Sequence, residues 1–153
     1  MKKLILSFAC LLAFLLPGRA QDWTKQLLSF GFTYKVEGTV PVSGEGTARV
    51  QGNCFCVKAG LVEYWSDGKT QWVVDKEARE VYIQDAEDYS AYLQRVNFRN
   101  SGGKIVGATV ALDDETDLVL DVRDLVAAAP VAASEFAFDT AALTKDFLVT
   151  DLR

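Results

Sequence analysis

Three short stretches carry residue types that do chemistry. Ser66-Asp67-Gly68-Lys69 has the Ser-x-x-Lys spacing of some serine hydrolases. That chemistry needs the lysine one helical turn beyond the serine, and Asp67-Gly68 is instead a favoured hairpin pair, so the two side chains straddle a turn. Asp113-Asp114-Glu115-Thr116-Asp117 collects carboxylates. It lacks the central glycine and distal bidentate glutamate of a calcium loop, which leaves a solvated turn. Cys54-x-Cys56 is the third. On a strand these thiols point the same way with Cα atoms about 6.5–7 Å apart, at or beyond the upper end of disulfide geometry. A bond there would be strained and reducible, which suits redox chemistry; the plain alternative is two small residues on an outer strand face. The chain has no histidine, the commonest general base and zinc ligand. With no convergent acid, base and nucleophile, the expectation is no enzyme, no cofactor and no metal.

The elements that position these residues begin after a leader. Lys2 and Lys3 precede an apolar stretch from Leu4 to Leu16, broken by Pro17 and followed by Gly18-Arg19-Ala20. This is the pattern of a secretory signal cleaved after Ala20, too short to span a bilayer. No cysteine stands where a lipoprotein would be acylated. Residues 21–153 are then expected to form a single domain in a compartment outside the cytoplasm. The chain carries 16 Lys+Arg against 21 Asp+Glu, and loss of Lys2, Lys3 and Arg19 makes it more acidic still. Such a charge argues against nucleic acid or anionic headgroups as partners. Two remaining cysteines are too few for a disulfide scaffold, so the fold must stand on an apolar core.

Trp23, Leu27 and Phe30 recur at helical spacing behind Asp22, which predicts a short N-terminal helix. Beyond it nearly everything alternates at period two. Phe32, Tyr34, Val36 and Val40 mark one strand. Pro41 to Gly46 reads as a turn. Gly52-Asn53 closes a hairpin that pairs Gln51 with Cys54, Val50 with Phe55, Arg49 with Cys56 and Ala48 with Val57. Ala48, Val50, Phe55 and Val57 then face inward, with Arg49, Gln51, Cys54 and Cys56 on a polar face. Asp67-Gly68 sets Glu63 opposite Trp72 and places Leu61, Trp65, Trp72 and Val74 on one face, with Glu63 discordant among them. Further strands are expected at Glu80–Gln84, Leu93–Arg99, Lys104–Leu112, Asp117–Val126, Glu135–Phe138 and Phe147–Leu152, and a polar loop or short helix at Asp85–Tyr92. Some ten antiparallel strands with one leading helix make a mainly β fold, an all-β meander or an open barrel.

An aromatic on an alternating strand is ordinarily core. A broad curved sheet in so short a chain has few elements to cover it, however, and Phe32, Tyr34, Phe55, Trp65 and Trp72 exceed what a filled barrel requires. Composition leaves core and pocket open.

Gly46-Thr47-Ala48-Arg49-Val50-Gln51-Gly52-Asn53-Cys54-Phe55, then Tyr64-Trp65-Ser66-Asp67-Gly68-Lys69-Thr70-Gln71-Trp72-Val73-Val74-Asp75, then Glu80-Val81-Tyr82-Ile83 resemble the LolA-like outer-membrane lipoprotein carriers. Phe136-Ala137-Phe138-Asp139 and Val149-Thr150-Asp151-Leu152-Arg153 are similar to that family's closing segment. The resemblance implies a monomeric periplasmic chaperone whose incomplete antiparallel half-barrel, closed by a short N-terminal helix and small lid elements, shields the acyl chains of a lipoprotein. It would take cargo from an inner-membrane release complex and pass it to an outer-membrane acceptor. The hydrophobic cavity it implies is lined by Phe32, Tyr34, Val36, Val50, Phe55, Trp65, Trp72 and Val74. The leading helix and Ala127–Ala133 are the expected cover, with ordinary edge packing the alternative for the alanine-rich stretch. The family's arginine associated with one-way transfer is missing, since Gln51-Gly52 stands in its place, so that role is not carried over. The competing expectation is an envelope protein–protein interaction module, the same barrel with a filled core and no lipid.

Overall fold

The computed structural model describes residues 26–38, 41–87 and 96–153. The expected leader, Asp22, Trp23, Val40 and residues 88–95 lie outside them. Ten strands follow one another: β1 (Leu27–Glu37), β2 (Val42–Gln51), β3 (Cys54–Ala59), β4 (Val62–Asp67), β5 (Thr70–Asp75), β6 (Glu80–Asp85), β7 (Val96–Ser101), β8 (Lys104–Ala111), β9 (Asp117–Ala128) and β10 (Leu148–Asp151). They form one sheet in the order β10-β6-β5-β4-β3-β2-β1-β9-β8-β7. The order does not return on itself, so among the described residues β10 and β7 are the edges and the sheet is not closed. Hairpins connect β1 through β6, while β9 crosses back to pair with β1. All pairings are antiparallel except β10 with β6, which run parallel.

The expected N-terminal helix gives way to strand over Leu27–Phe30. Leu28 and Phe30 continue the inward alternation of Phe32 and Val36, whereas Leu27 is buried on the opposite side beside Phe136. A strand buried on both faces loses its period of two, and three apolar residues then imitate a helix.

The expected turn at Pro41–Gly46 is mostly strand, with Val36 paired to Val42. Gly44 and Gly46 are there for room. They pair with Tyr34 and Phe32, and a Cβ at Gly46 would lie 2.5 Å from Phe32 Cζ. The rings lie across the bare backbone of the neighbouring strand, a use of strand glycine that composition disguises as a turn.

The Gly52-Asn53 hairpin has the register expected of it. The next hairpin is shifted by two: Trp65 pairs with Trp72, Ser66 with Gln71 and Glu63 with Val74. Its loop centres on Gly68-Lys69, with Gly68 at φ +89. The Asp67 carboxylate accepts from the backbone N–H of Lys69 and Thr70 at 2.9 and 2.8 Å, and so caps the turn from its flank. A shift of two preserves which side chains share a face, so Trp65, Trp72 and Val74 still stand together.

The strand expected at Glu135–Phe138, after β9, is absent. That segment forms a 3-10 turn at Ala133–Phe136 and a second at Thr140–Ala142, and runs as a strap across β3–β6 before becoming β10. Ala127 and Ala128 end β9 against Leu28 and Leu27. Gln51 holds the strap's start: its amide donates to Val131 O and accepts from Val131 N, both at 2.8 Å. The alanine-rich stretch is therefore docked.

Candidate functional site

The sheet has two faces with different contents. On the inner face, Phe30, Phe32, Val36, Ala48, Val50, Phe55, Val57, Tyr64, Leu118 and Leu120 form one buried apolar cluster. Tyr34, Val73, Phe98 and Val122 border it, partly exposed. The strand pairings align these residues in rows. Tyr34 stands opposite Gly44 on one side and Leu120 on the other, and Leu120 continues through Ala108 to Phe98. Large rings alternate with Gly or Ala, so a wide apolar surface is made without backbone strain.

The outer face divides in two. Over β7, β8, β9, β1 and β2 it is wet and charged. Arg99 lies over Gly107 and donates to Leu120 O and Asp121, both at 2.6 Å. Arg123 lies over Gly31 to reach Glu45 at 2.9 Å. Over β3–β6 the outer face is apolar and covered by the strap. Phe136, with 0% exposure, packs against Leu27 and Cys56. Phe138, Leu143 and Phe147 pack on Val74, Val81, Ile83, Trp65 and Trp72.

This arrangement separates the residues expected to share a cavity. Phe32, Tyr34, Val36, Val50 and Phe55 are together on the inner face. Trp65, Trp72 and Val74 are on the other side, because Cys56, not Phe55, pairs with Trp65. The two indoles face each other across β4 and β5, and Trp65 meets the ring of Phe138 at 5.7 Å. They hold the strap and are not part of the inner face. Each hairpin constrains its own pairing, and nothing within a hairpin says which of its faces continues the inner face of the next. Sequence reasoning missed Tyr64, Val73, Phe98, Leu118 and Leu120 on the inner face, although period-two alternation in β8 and β9 was a signal for the last two.

Glu63, discordant among the apolar residues of its face, is buried and fully engaged. Trp65 Nε1 donates to one carboxylate oxygen at 3.0 Å, and Lys76 Nζ lies 2.5 Å from the other with Lys58 Nζ at 3.9 Å. Lys58 also sits 5.2 Å from the Trp65 ring centroid. Burial pushes the Glu63 pKa upward, but the hydrogen bonds from Lys76 and Trp65 and the charges of Lys58 and Lys76 outweigh it, and the net direction is down. A carboxylate depressed by folding stabilises the protein above its unfolded value, about 4.3, and loses that contribution as pH falls through the folded value. Glu63→Ala should therefore cost about 1–3 kcal/mol at neutral pH, the range for an unpaired buried donor. The difference from the parent protein should shrink on acidification to roughly pH 3. Urea unfolding at both pH values checks this; an undiminished difference in acid would disprove the linkage.

Cys54 and Cys56 are free thiols under the strap's first turn. Burial pushes Cys56 up to about 11, and burial with the nearby Asp67 charge raises Cys54. Both are protonated and poor nucleophiles at neutral pH. The face read as polar at these positions is covered, and Arg49 on it lies 5.5 Å from the Phe136 ring centroid. Among the described residues no cluster of three His, Cys, Asp or Glu could hold a metal ion. No helix among them is long and apolar enough to cross a membrane.

No protein-family profile and no curated protein matches the chain. Among solved structures, the chain is similar to an uncharacterized conserved protein from Thermus thermophilus. The match has 11% identity and a TM-score of 0.47, over 79% of this chain and 90% of that one.

Proposed function

We propose that this protein is a non-enzymatic carrier of acyl chains, holding them on the inner face of its open sheet. What supports the reading is the continuity of that face. One apolar surface runs from Phe98 on β7 through Leu120, Phe32 and Val57 to Tyr64 on β4, on a sheet whose described strand order is not closed. Hydrocarbon transfer from water is worth roughly 0.8 kcal/mol per methylene, so even half an acyl chain lodged there gains several kcal/mol without shape-specific contacts. Aromatic side chains supply contact area at small entropic cost. The resemblance to the lipoprotein carriers supplies the cargo class and the route: acylated lipoproteins, received from an inner-membrane complex and delivered to an outer-membrane acceptor across the periplasm. The lining in this proposal is Phe32, Tyr34, Val36, Val50 and Phe55 with Val73, Phe98 and Val122. Trp65, Trp72 and Val74 belong to the strap.

The second reading, an envelope interaction module with a filled core, is favoured by one observation. Phe32, Val57 and Leu120 each have 0% exposure, as in an ordinary protein interior. The two readings differ in a single measurement. Titration with the uncharged probe N-phenyl-1-naphthylamine should give saturable fluorescence enhancement. Phe98→Glu, a charge at the partly exposed border of the inner face, should weaken binding by about tenfold or more, the cost of burying a charge against hydrocarbon. Absence of saturable binding by the unaltered protein would leave the filled-core module standing.

A further inference from the structure

The inner face is not uniform, and the change in its chemistry follows the strand order. Three rows cross it from β1 to β6. The first is Leu28, Val50, Phe55, Ser66, Gln71 and Gln84; the second is Phe30, Ala48, Val57, Tyr64, Val73 and Tyr82. The third is Phe32, Gly46, Ala59, Val62, Asp75 and Glu80. Each row is apolar through β3 and acquires polar groups on β4–β6. Two of these polar side chains are as deeply buried as the core, Ser66 at 1% and Gln71 at 0% exposure. Beside them Tyr82 donates to Glu80 Oε2 at 2.5 Å, and Gln84 Nε2 donates to Glu87 Oε1 at 3.4 Å. Ser66 Oγ accepts from Gly68 N at 3.2 Å and reaches Asn53 O at 3.5 Å, which places its hydroxyl at the hairpin end of the first row.

We infer that the Ser66–Gln71–Gln84 row with Tyr82 is the subsite for the polar head of an amphiphile whose hydrocarbon lies along β3, β1 and β9, and that it selects an uncharged head. This rests on the carrier reading above. Amide and hydroxyl groups both donate and accept, so the row matches esters, amides and hydroxyls. No lysine or arginine among the described residues stands on these three rows, while Asp75 and Glu80 do. An anionic head, whether phosphate or free carboxylate, would be desolvated there without a counter-charge and beside like charges. A neutral head would keep its hydrogen bonds. The selectivity comes from the unfavourable term against anions as much as from the favourable one for esters and amides.

The test is competition against bound N-phenyl-1-naphthylamine by two ligands with the same hydrocarbon, uncharged monoolein and anionic oleate. Monoolein should displace the probe at about tenfold lower concentration, and Gln71→Leu should bring the two within about twofold, each displacement being referred to that variant's own affinity for the probe. Gln84→Leu, at a partly exposed position in the same row, should reduce the preference in the same direction and serves where Gln71→Leu does not fold. Equal displacement by oleate in the unaltered protein, or a preference that survives both substitutions, would overturn the head-group assignment and leave the carrier reading intact. Failure of the probe and of monoolein to bind at all would overturn both.

Discussion

Phe136→Ala is expected to lower the unfolding free energy by about 3–5 kcal/mol, the range for deleting a buried phenylalanine side chain. Phe136 is on the strap, far along the chain from the strands it covers, yet it has 0% exposure and packs against Leu27 of β1 and Cys56 of β3. Its ring also lies under the Arg49 guanidinium. Removing it leaves a cavity between strap and sheet, and the strap's 3-10 turn has no other buried residue with which to refill it. A loss of this size is a large fraction of the stability of a single domain. Urea unfolding followed by circular dichroism measures it. A cost under about 1 kcal/mol would mean that the strap can leave the sheet without the fold noticing, a picture the burial of Phe136 opposes.

Gly46→Val is expected to cost about 3 kcal/mol, at the upper end for overpacking. A Cβ at Gly46 would stand 2.3 Å from Lys58 O and 2.5 Å from Phe32 Cζ. The first neighbour is backbone in β3, and the second is a fully buried ring, so neither gives way cheaply. The strain is purely one of space, as Gly46 has no positive φ to lose. Gly44 makes a useful contrast. Its added Cβ would meet Tyr34 Oη at 2.6 Å, the outer end of a side chain that is only partly buried. Gly44→Val should therefore cost about 1 kcal/mol, the lower end of the same range. Equal denaturation midpoints for the two variants would contradict the roles assigned to Phe32 and Tyr34.

Much of the sheet was legible because period-two alternation and hairpin dipeptides are local. The Gly52-Asn53 register follows from two residues and their flanks, and the pairs from Gln51–Cys54 to Ala48–Val57 agree with it. The Asp67-Gly68 hairpin shows the limit of such reasoning. Asp67 prefers to cap the turn with its carboxylate, so the loop moves one position along the chain and the register by two. The error was silent in face assignment, since a shift of two leaves every side chain on its own side.

The candidate site was half legible for a different reason. Phe32, Tyr34, Val50 and Phe55 were joined correctly because β1 to β3 are linked by pairings that the alternation constrains. Trp65 and Trp72 were joined correctly to each other and wrongly to the rest. An apolar alternating face announces that it is buried, never what buries it. Here one set belongs to the inner cluster and the chain's last residues cover the other, and only the course of the strap distinguishes them.

What the sequence determined by itself is therefore the strand content, the acidic balance, the missing histidine and the apolar identity of two sets of side chains, all properties of neighbours along the chain. The tertiary structure decided which set joins the inner cluster and which lies beneath the strap. It turned Leu27–Phe30 from helix to strand and set β10 parallel to β6. Each of those outcomes depends on contacts between residues distant in sequence, and such contacts leave no period in the chain for a reader to find.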